Sequence, residues 1–247
     1  LDFNSTSFSH PKSEDLTLSS PKEDIRKFWV EHTKRCRAIA EEMGRRQGDP
    51  AILNIWIHDG SKDITVNRMA YRANLKRSLD EILETKYENM KDCIESKVFG
   101  IGLESYTVGS NDFYTAYAAQ NGKIVTLDTG HFHPTESIAD KMSSLLLFTP
   151  EVMLHVSRPV RWDSDHVVAF DDETKAIMEE LKLKFELVPD GCWYSNLRSC
   201  LKPKAWDVVR KDAYSRANGK CMICGRKATR LEAHERWSYN EQTATQK

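Results

Sequence analysis

The stretch Lys123-Ile124-Val125-Thr126-Leu127-Asp128-Thr129-Gly130-His131-Phe132-His133 decides how the chain is read. Lys123 to Asp128 is a short run of strand length. Polar donors follow at once, so chemistry sits where a strand stops. Toward the N-terminus the pattern predicts a helix after Ser110, a strand from about Cys93 to Gly102, and a helix marked by Leu75, Leu79, Ile82 and Leu83. Before these, Ala51 to Ile57 is an apolar run closed by His58-Asp59-Gly60, the pattern of a buried strand and a turn. Ser20-Pro21-Lys22-Glu23 combines an N-cap serine, proline at the first helical position and a capping-box glutamate. From there Ile25, Phe28, Trp29, His32, Cys36, Ile39 and Met43 form one apolar helical face to about residue 44, and Gly48 and Pro50 close the helix. Leu1 to Asn4 is strand-like. Toward the C-terminus come a helix near Thr135 to Leu146, a strand near Val152 to Val156 and a helix after Asp171.

Five strands alternating with helices imply βαβ units and a parallel sheet. No Gly-x-Gly-x-x-Gly follows a strand, so a dinucleotide cradle is not indicated. A barrel is favoured by where the polar residues fall. Glu95, then Asp128 with His131 and His133, then His155, then Asp163 with Asp165 mark four successive strand ends. In an α/β barrel those ends converge on one mouth, where residues far apart in sequence meet. A lone His133 or His155 is more often a hydrogen-bonded histidine than a ligand, and a lone Glu95 more often a salt-bridge partner. Together they weigh differently, because so many carboxylates beside an apolar sheet are costly to bury unless cations compensate them. Imidazole and carboxylate without thiolate suits manganese, magnesium, cobalt or zinc, with Mn²⁺ the best match.

With 40% hydrophobic and 30% charged residues, the 247-residue chain reads as soluble and globular, with one large domain or two small ones. No apolar run approaches the ~18 residues of a membrane span and no secretory signal opens the chain, so a cytoplasmic protein is expected. Of six cysteines only Cys221 and Cys224 form a motif, and the others read as reduced, structural thiols. Charge is segregated: Arg198 to Arg236 holds eleven Lys or Arg against four Asp or Glu, leaving the rest acidic. Such a basic segment is a candidate for weak nucleic-acid contact, although a solvated charged face explains most such runs.

Several runs carry a resemblance in order and spacing. They are Leu-Asp-Phe-Asn at 1–4, Phe-Ser-His-Pro at 8–11, Asn-Ile-Trp-Ile at 54–57, Lys-Asp-Ile-Thr-Val at 62–66, Glu-Ser-Lys at 95–97 and Glu-Ser-Tyr-Thr-Val-Gly-Ser at 104–110. Gly-His-Phe-His-Pro-Thr-Glu at 130–136 and His-Val-Ser-Arg-Pro-Val-Arg-Trp-Asp-Ser-Asp-His at 155–166 complete the set. Residues 1 to about 178 resemble the L-rhamnose isomerases. The resemblance implies a (β/α)₈ barrel that interconverts L-rhamnose and L-rhamnulose with two divalent metals, in a homo-oligomer. It further implies that His131, Asp163 and Asp165 hold a catalytic Mn²⁺, that Glu95, Asp128 and His155 hold a second ion such as Zn²⁺ or Mn²⁺, and that Lys97 lies near the sugar. Departures occur at His58, Asn67 and Tyr71, where the family pattern has proline, aspartate and proline. The match runs from what resembles the third barrel strand to the seventh, and the eighth strand's aspartate, a further ligand of the second metal, has no counterpart. A fragment with little or no isomerase activity is therefore expected.

From about Leu187 a different pattern takes over. Pro189-Asp190-Gly191-Cys192-Trp193, Lys204-Ala205-Trp206-Asp207, Cys221-Met222-Ile223-Cys224-Gly225 and Ala233-His234-Glu235 are similar to the front half of a small HNH-type, zinc-finger-like domain. Cys221, Cys224 and His234 would begin a zinc site, but no second cysteine pair follows, so weak Zn²⁺ binding is expected. The alternative function is a nucleic-acid-binding or HNH-nuclease-like module in this basic segment.

Overall fold

A computed structural model describes residues 1–97, 103–133, 135–160, 162–181, 201–220, 227, 239–240 and 245–246. The chain forms two compact units, Leu1–Ile177 and Met178–Lys247. The first is built on five parallel strands, β1 (Asp2–Asn4), β2 (Ala51–Ile55), β4 (Met90–Glu95), β6 (Ile124–Asp128) and β7 (Val152–His155), hydrogen-bonded in that order. Such an all-parallel α/β sheet is compatible with part of a TIM barrel. Register fixes its chemistry. Asn4 pairs with Asn54, Asn54 with Cys93, Glu95 with Thr126, and Asp128 with His155. Because side chains alternate along a strand, Asn54, Cys93, Glu95, Thr126, Asp128 and His155 share one face of the sheet. Ala51, Leu53, Ile55, Ile94, Val125 and Leu127 occupy the other and are wholly buried. One face is therefore the core and the other the chemistry.

Helices α1 (Glu23–Gln47), α2 (Arg68–Leu83), α3 (Asn111–Asn121), α4 (Ile138–Leu145) and α5 (Asp172–Glu180) complete the alternation. The first departs from its sequence expectation at both its cap and its face. Helix α1 begins at Glu23 without a side-chain cap: Ser20 Oγ accepts from Lys22 N at 3.2 Å, and Glu23 pairs with Arg26 and Arg77 instead of closing a capping box. Its buried residues are Arg26, Trp29, Val30, Thr33, Cys36, Arg37, Ala40 and Gly44, while Ile39 is exposed. Two arginines thus face inward. Arg37 forks onto Asp92 at 2.7 and 3.0 Å, donates to the carbonyls of Ile82 and Thr85, and lies over the Tyr87 ring, so its buried charge is paired and hydrogen-bonded.

Strand β4 ends at Glu95, the 98–102 part of the expected strand lies outside the described residues, and His58-Asp59-Gly60 is more than a turn. Gly60–Ser61 (β3) pairs antiparallel with Tyr106–Thr107 (β5). The buried Asp59 carboxylate accepts from Thr17 N and Ser19 N at 2.8 and 3.0 Å and from both hydroxyls at 2.5 and 2.6 Å, pinning the segment before α1 to the strand ends. After β7, Arg158–Val160 (β8) and Trp162–His166 (β9) form an antiparallel hairpin, so Asp163 and Asp165 belong to that hairpin rather than to the end of a further parallel strand. The second unit contains α6 (Pro203–Ala217), which opens on proline and ends at Asn218 in the left-handed region, and a short pair, β10 (Tyr239–Asn240) with β11 (Thr245–Gln246). Among the described residues no helix is long and apolar enough to cross a membrane.

Gly44 is where α1 crosses the chain between β2 and β4. A Cβ there would overlap the Asn89 carbonyl oxygen and approach Ala51 N to 2.8 Å, and that carbonyl already accepts from Ala51 N at 2.9 Å. Gly44→Ala should therefore destabilise the first unit by about 1–3 kcal/mol through backbone displacement, outweighing alanine's helix propensity. Urea unfolding of the two proteins checks this.

Candidate metal centre

Adjacent parallel strands bring Glu95, Asp128 and His155 to one sheet edge, each as the last residue of its strand, β4, β6 and β7. The turn after β6 adds His131, whose amide donates to Asp128 O at 3.0 Å. Glu95, Asp128 and His131 are buried and offer ligand atoms within 4.8 Å of one another. His155 Nδ1 lies 3.2 Å from Glu95 Oε1 and 3.9 Å from Asp128 Oδ2. His131 Nδ1 lies 3.4 Å from Glu95 Oε1, and its Nε2 lies 3.8 Å from Asp128 Oδ2. Among the described residues neither carboxylate has a lysine or arginine ion-pair partner. Burying two such charges is costly without compensation, so the donor set fits a divalent cation held by oxygen and nitrogen.

Local contacts orient these donors. His131 Nδ1 is 3.0 Å from the Ser96 carbonyl, which can only accept, so Nδ1 carries the proton and Nε2 is the nitrogen with the lone pair. Asp128 Oδ1 accepts from Gly130 N at 2.7 Å and Ser157 Oγ at 2.6 Å, which leaves Oδ2 as the oxygen facing the imidazoles. A Cβ at Gly130 would collide with Ser157 Oγ and push that hydroxyl off Asp128. The Glu95 carboxylate beside His155 holds that imidazole above its ordinary value of 6.5, with Asp128 and Asp2 adding to the effect and burial opposing it.

The remaining expected residues lie elsewhere. Lys97 donates its amide to Gly109 O at 3.1 Å and carries its ammonium 5.7 Å from the Trp56 ring centroid. His133 is exposed and bonded to Thr135 Oγ1 at 2.7 Å, apart from the buried donors. For Asp163 and Asp165 only the backbone is described, and their side chains lie outside the described residues, as do Cys221, Cys224 and His234. Two contributors had no place in the sequence reading of the site. Ser157 lies inside the run at 155–166, where nothing local marks it as a partner of Asp128. Asn54 had a signal, a polar amide inside the apolar run Ala51 to Ile57.

A sequence profile described as L-rhamnose isomerase (RhaA) matches residues 1–189. The L-rhamnose isomerase of Bacteroides thetaiotaomicron is 76% identical over 181 residues, covering 73% of this chain and 43% of the relative. Those of Pectobacterium carotovorum and Mannheimia succiniciproducens are 55% and 56% identical over 184 and 183 residues, each covering 73% of this chain and 44% of the relative. The chain thus spans less than half the length of these curated relatives. Residues beyond 189 lie outside the matched segment.

In chelator-treated protein, His155 should titrate above 6.5, and Glu95→Gln should lower its value. The folded form binds this proton more tightly than the unfolded chain. Its stabilising contribution is therefore fully present below about pH 6.5 and is lost as pH rises through the folded value. Imidazole NMR titration of the two proteins reads the shift, and an unmoved His155 on Glu95→Gln would contradict the assignment.

Proposed function

The chain belongs to the L-rhamnose isomerase family, and from that premise we propose that residues 1 to about 178 supply the metal-binding part of an enzyme interconverting L-rhamnose and L-rhamnulose. One observation carries the reading: Glu95, Asp128 and His131 converge within 4.8 Å, buried, at the C-terminal ends of adjacent parallel strands. In this reading His131, Asp163 and Asp165 hold the catalytic ion, with Mn²⁺ preferred. Glu95, Asp128 and His155 hold a second, mainly structural ion, Zn²⁺ or Mn²⁺, and Lys97 borders the sugar. The substrate and this site both suit a cytoplasmic enzyme of sugar breakdown, working as a homo-oligomer.

In the aldose-to-ketose direction a hydrogen moves from C2 to C1 and the O2 proton passes to O1, so nothing is gained or lost; the family resemblance favours transfer of that hydrogen with its bonding pair, as hydride, over an enediol route. A divalent ion bound here would polarise the carbonyl and stabilise negative charge on the neighbouring sugar oxygen. The protein's own part is placement. Ser96 fixes the His131 tautomer, Gly130 and Ser157 fix Asp128, and the parallel register sets the spacing between donors. The Lys97 ammonium, held beside Trp56, supplies positive charge to a sugar oxygen.

The test exchanges the 181 matched residues into the Bacteroides thetaiotaomicron enzyme. The chimera should form ketose from L-rhamnose with Mn²⁺ within about tenfold of its parent, and His131→Ala or Asp163→Ala in it should lower the rate by at least about 10³-fold. A folded, Mn²⁺-binding chimera without isomerase activity would overturn the reading. The 247-residue polypeptide by itself should show little or no activity, because among the described residues the five parallel strands form an open sheet, and catalysis needs its donors held rigidly. Activity within tenfold of the parent enzyme would refute that expectation.

A further inference from the structure

We infer that Asn54 is a positioning residue for the metal centre, one that turns a chosen oxygen of Glu95 toward the imidazoles; this rests on the metal-binding reading above. Asn54 is wholly buried on β2. Its Nδ2 donates to Glu95 Oε2, and its Oδ1 accepts from Thr126 Oγ1 at 2.8 Å. The direction is forced chemically. A carboxylate only accepts, so the amide nitrogen must face Glu95, and the amide oxygen is then left for the Thr126 hydroxyl.

The consequence falls on the other oxygen. With Oε2 held, Oε1 is the one 3.4 Å from His131 Nδ1 and 3.2 Å from His155 Nδ1. The terminal torsion of a glutamate is broad and roughly two-fold, so a carboxylate without this bond would not keep the two oxygens distinct. Asn54 is itself anchored, since its carbonyl accepts from Ser5 N at 3.1 Å and Ser5 Oγ at 3.4 Å. Sheet packing does not call for an amide here. The neighbours on the strand are Ala51, Ile52, Leu53 and Ile55, and a buried amide is unfavourable unless its bonds are made. Those bonds lead to Glu95 and Thr126, both on the donor face. A residue that orients a ligand without touching the ion typically changes metal affinity about 10–100-fold on substitution.

The experiment uses the full 247-residue chain with Asn54→Leu and Thr126→Val. Folding is checked with chelator present by circular dichroism, Mn²⁺ affinity is measured by calorimetry, and ligand geometry is read from the visible spectrum of bound Co²⁺. Folded Asn54→Leu should bind Mn²⁺ about 10–100-fold more weakly and shift the Co²⁺ spectrum. Thr126→Val should move both readouts in the same direction by less. A folded Asn54→Leu with wild-type affinity and spectrum overturns the inference. If Asn54→Leu does not fold, Thr126→Val decides, and wild-type values for it overturn the inference equally. Failure of the unsubstituted chain to bind either ion would instead overturn the metal-binding reading, and this inference with it.

Discussion

Two carboxylates buried on neighbouring strands, with no ammonium or guanidinium to neutralise them among the described residues, are the constraint around which the donor face is built. Burying such charges is tolerable only if every lone pair is answered and a cation can enter. The parallel register answers the first requirement. It sets Glu95 beside Thr126 and Asp128 beside His155, so the Asn54 amide and the His155 imidazole reach Glu95 from other strands of the sheet, while the Ser157 hydroxyl reaches Asp128 from just past β7. The opposite face is apolar from Ala51 through Leu127 except for Asp92, which Arg37 neutralises. A slip of one residue in any strand would exchange the two faces.

The same alternation explains what could be read from sequence. Strands separated by helices, with acids and imidazoles at their ends, are visible because a strand end is a local event. Glu95, Asp128 and His155 need only period two and a parallel sheet to meet. The face of α1 was less legible, because a hydrophobic period assigns arginine outward and isoleucine inward. Here Arg37 finds Asp92, two carbonyls and a ring across sequence separations of 45 to 55 residues, and Ile39 is displaced to the surface. No local window contains that information. The capping box failed for a related reason. Glu23 had better partners in Arg26 and, 54 residues away, Arg77.

Asn54 stands between these cases. An asparagine inside an apolar strand announces that something polar lies opposite, but not what. Only the pairing of Asn54 with Cys93, which sets Glu95 diagonally across from it, identifies the partner. Asp59 is similar, since a turn residue in sequence becomes a buried acceptor of four bonds once the segment containing Thr17 and Ser19 folds over it.

The donor face also carries a sulfur, and its state bears on which ions the centre suits. Cys93 lies two residues before Glu95 on the same face, and a thiolate there would favour soft metals. Burial, with Asp92 nearby, pushes its thiol up to about 12, so it stays protonated at neutral pH and is a poor ligand. Tyr114, wholly buried, is likewise raised by burial and by the charges of Asp59 and Glu95, and its phenol stays neutral. Neither group adds charge that would compete with Glu95 and Asp128. What remains is a set of carboxylate oxygens and imidazole nitrogens in a largely buried setting, which matches hard and borderline divalent ions, and the strand register, rather than metal-binding sequence spacing, produces it.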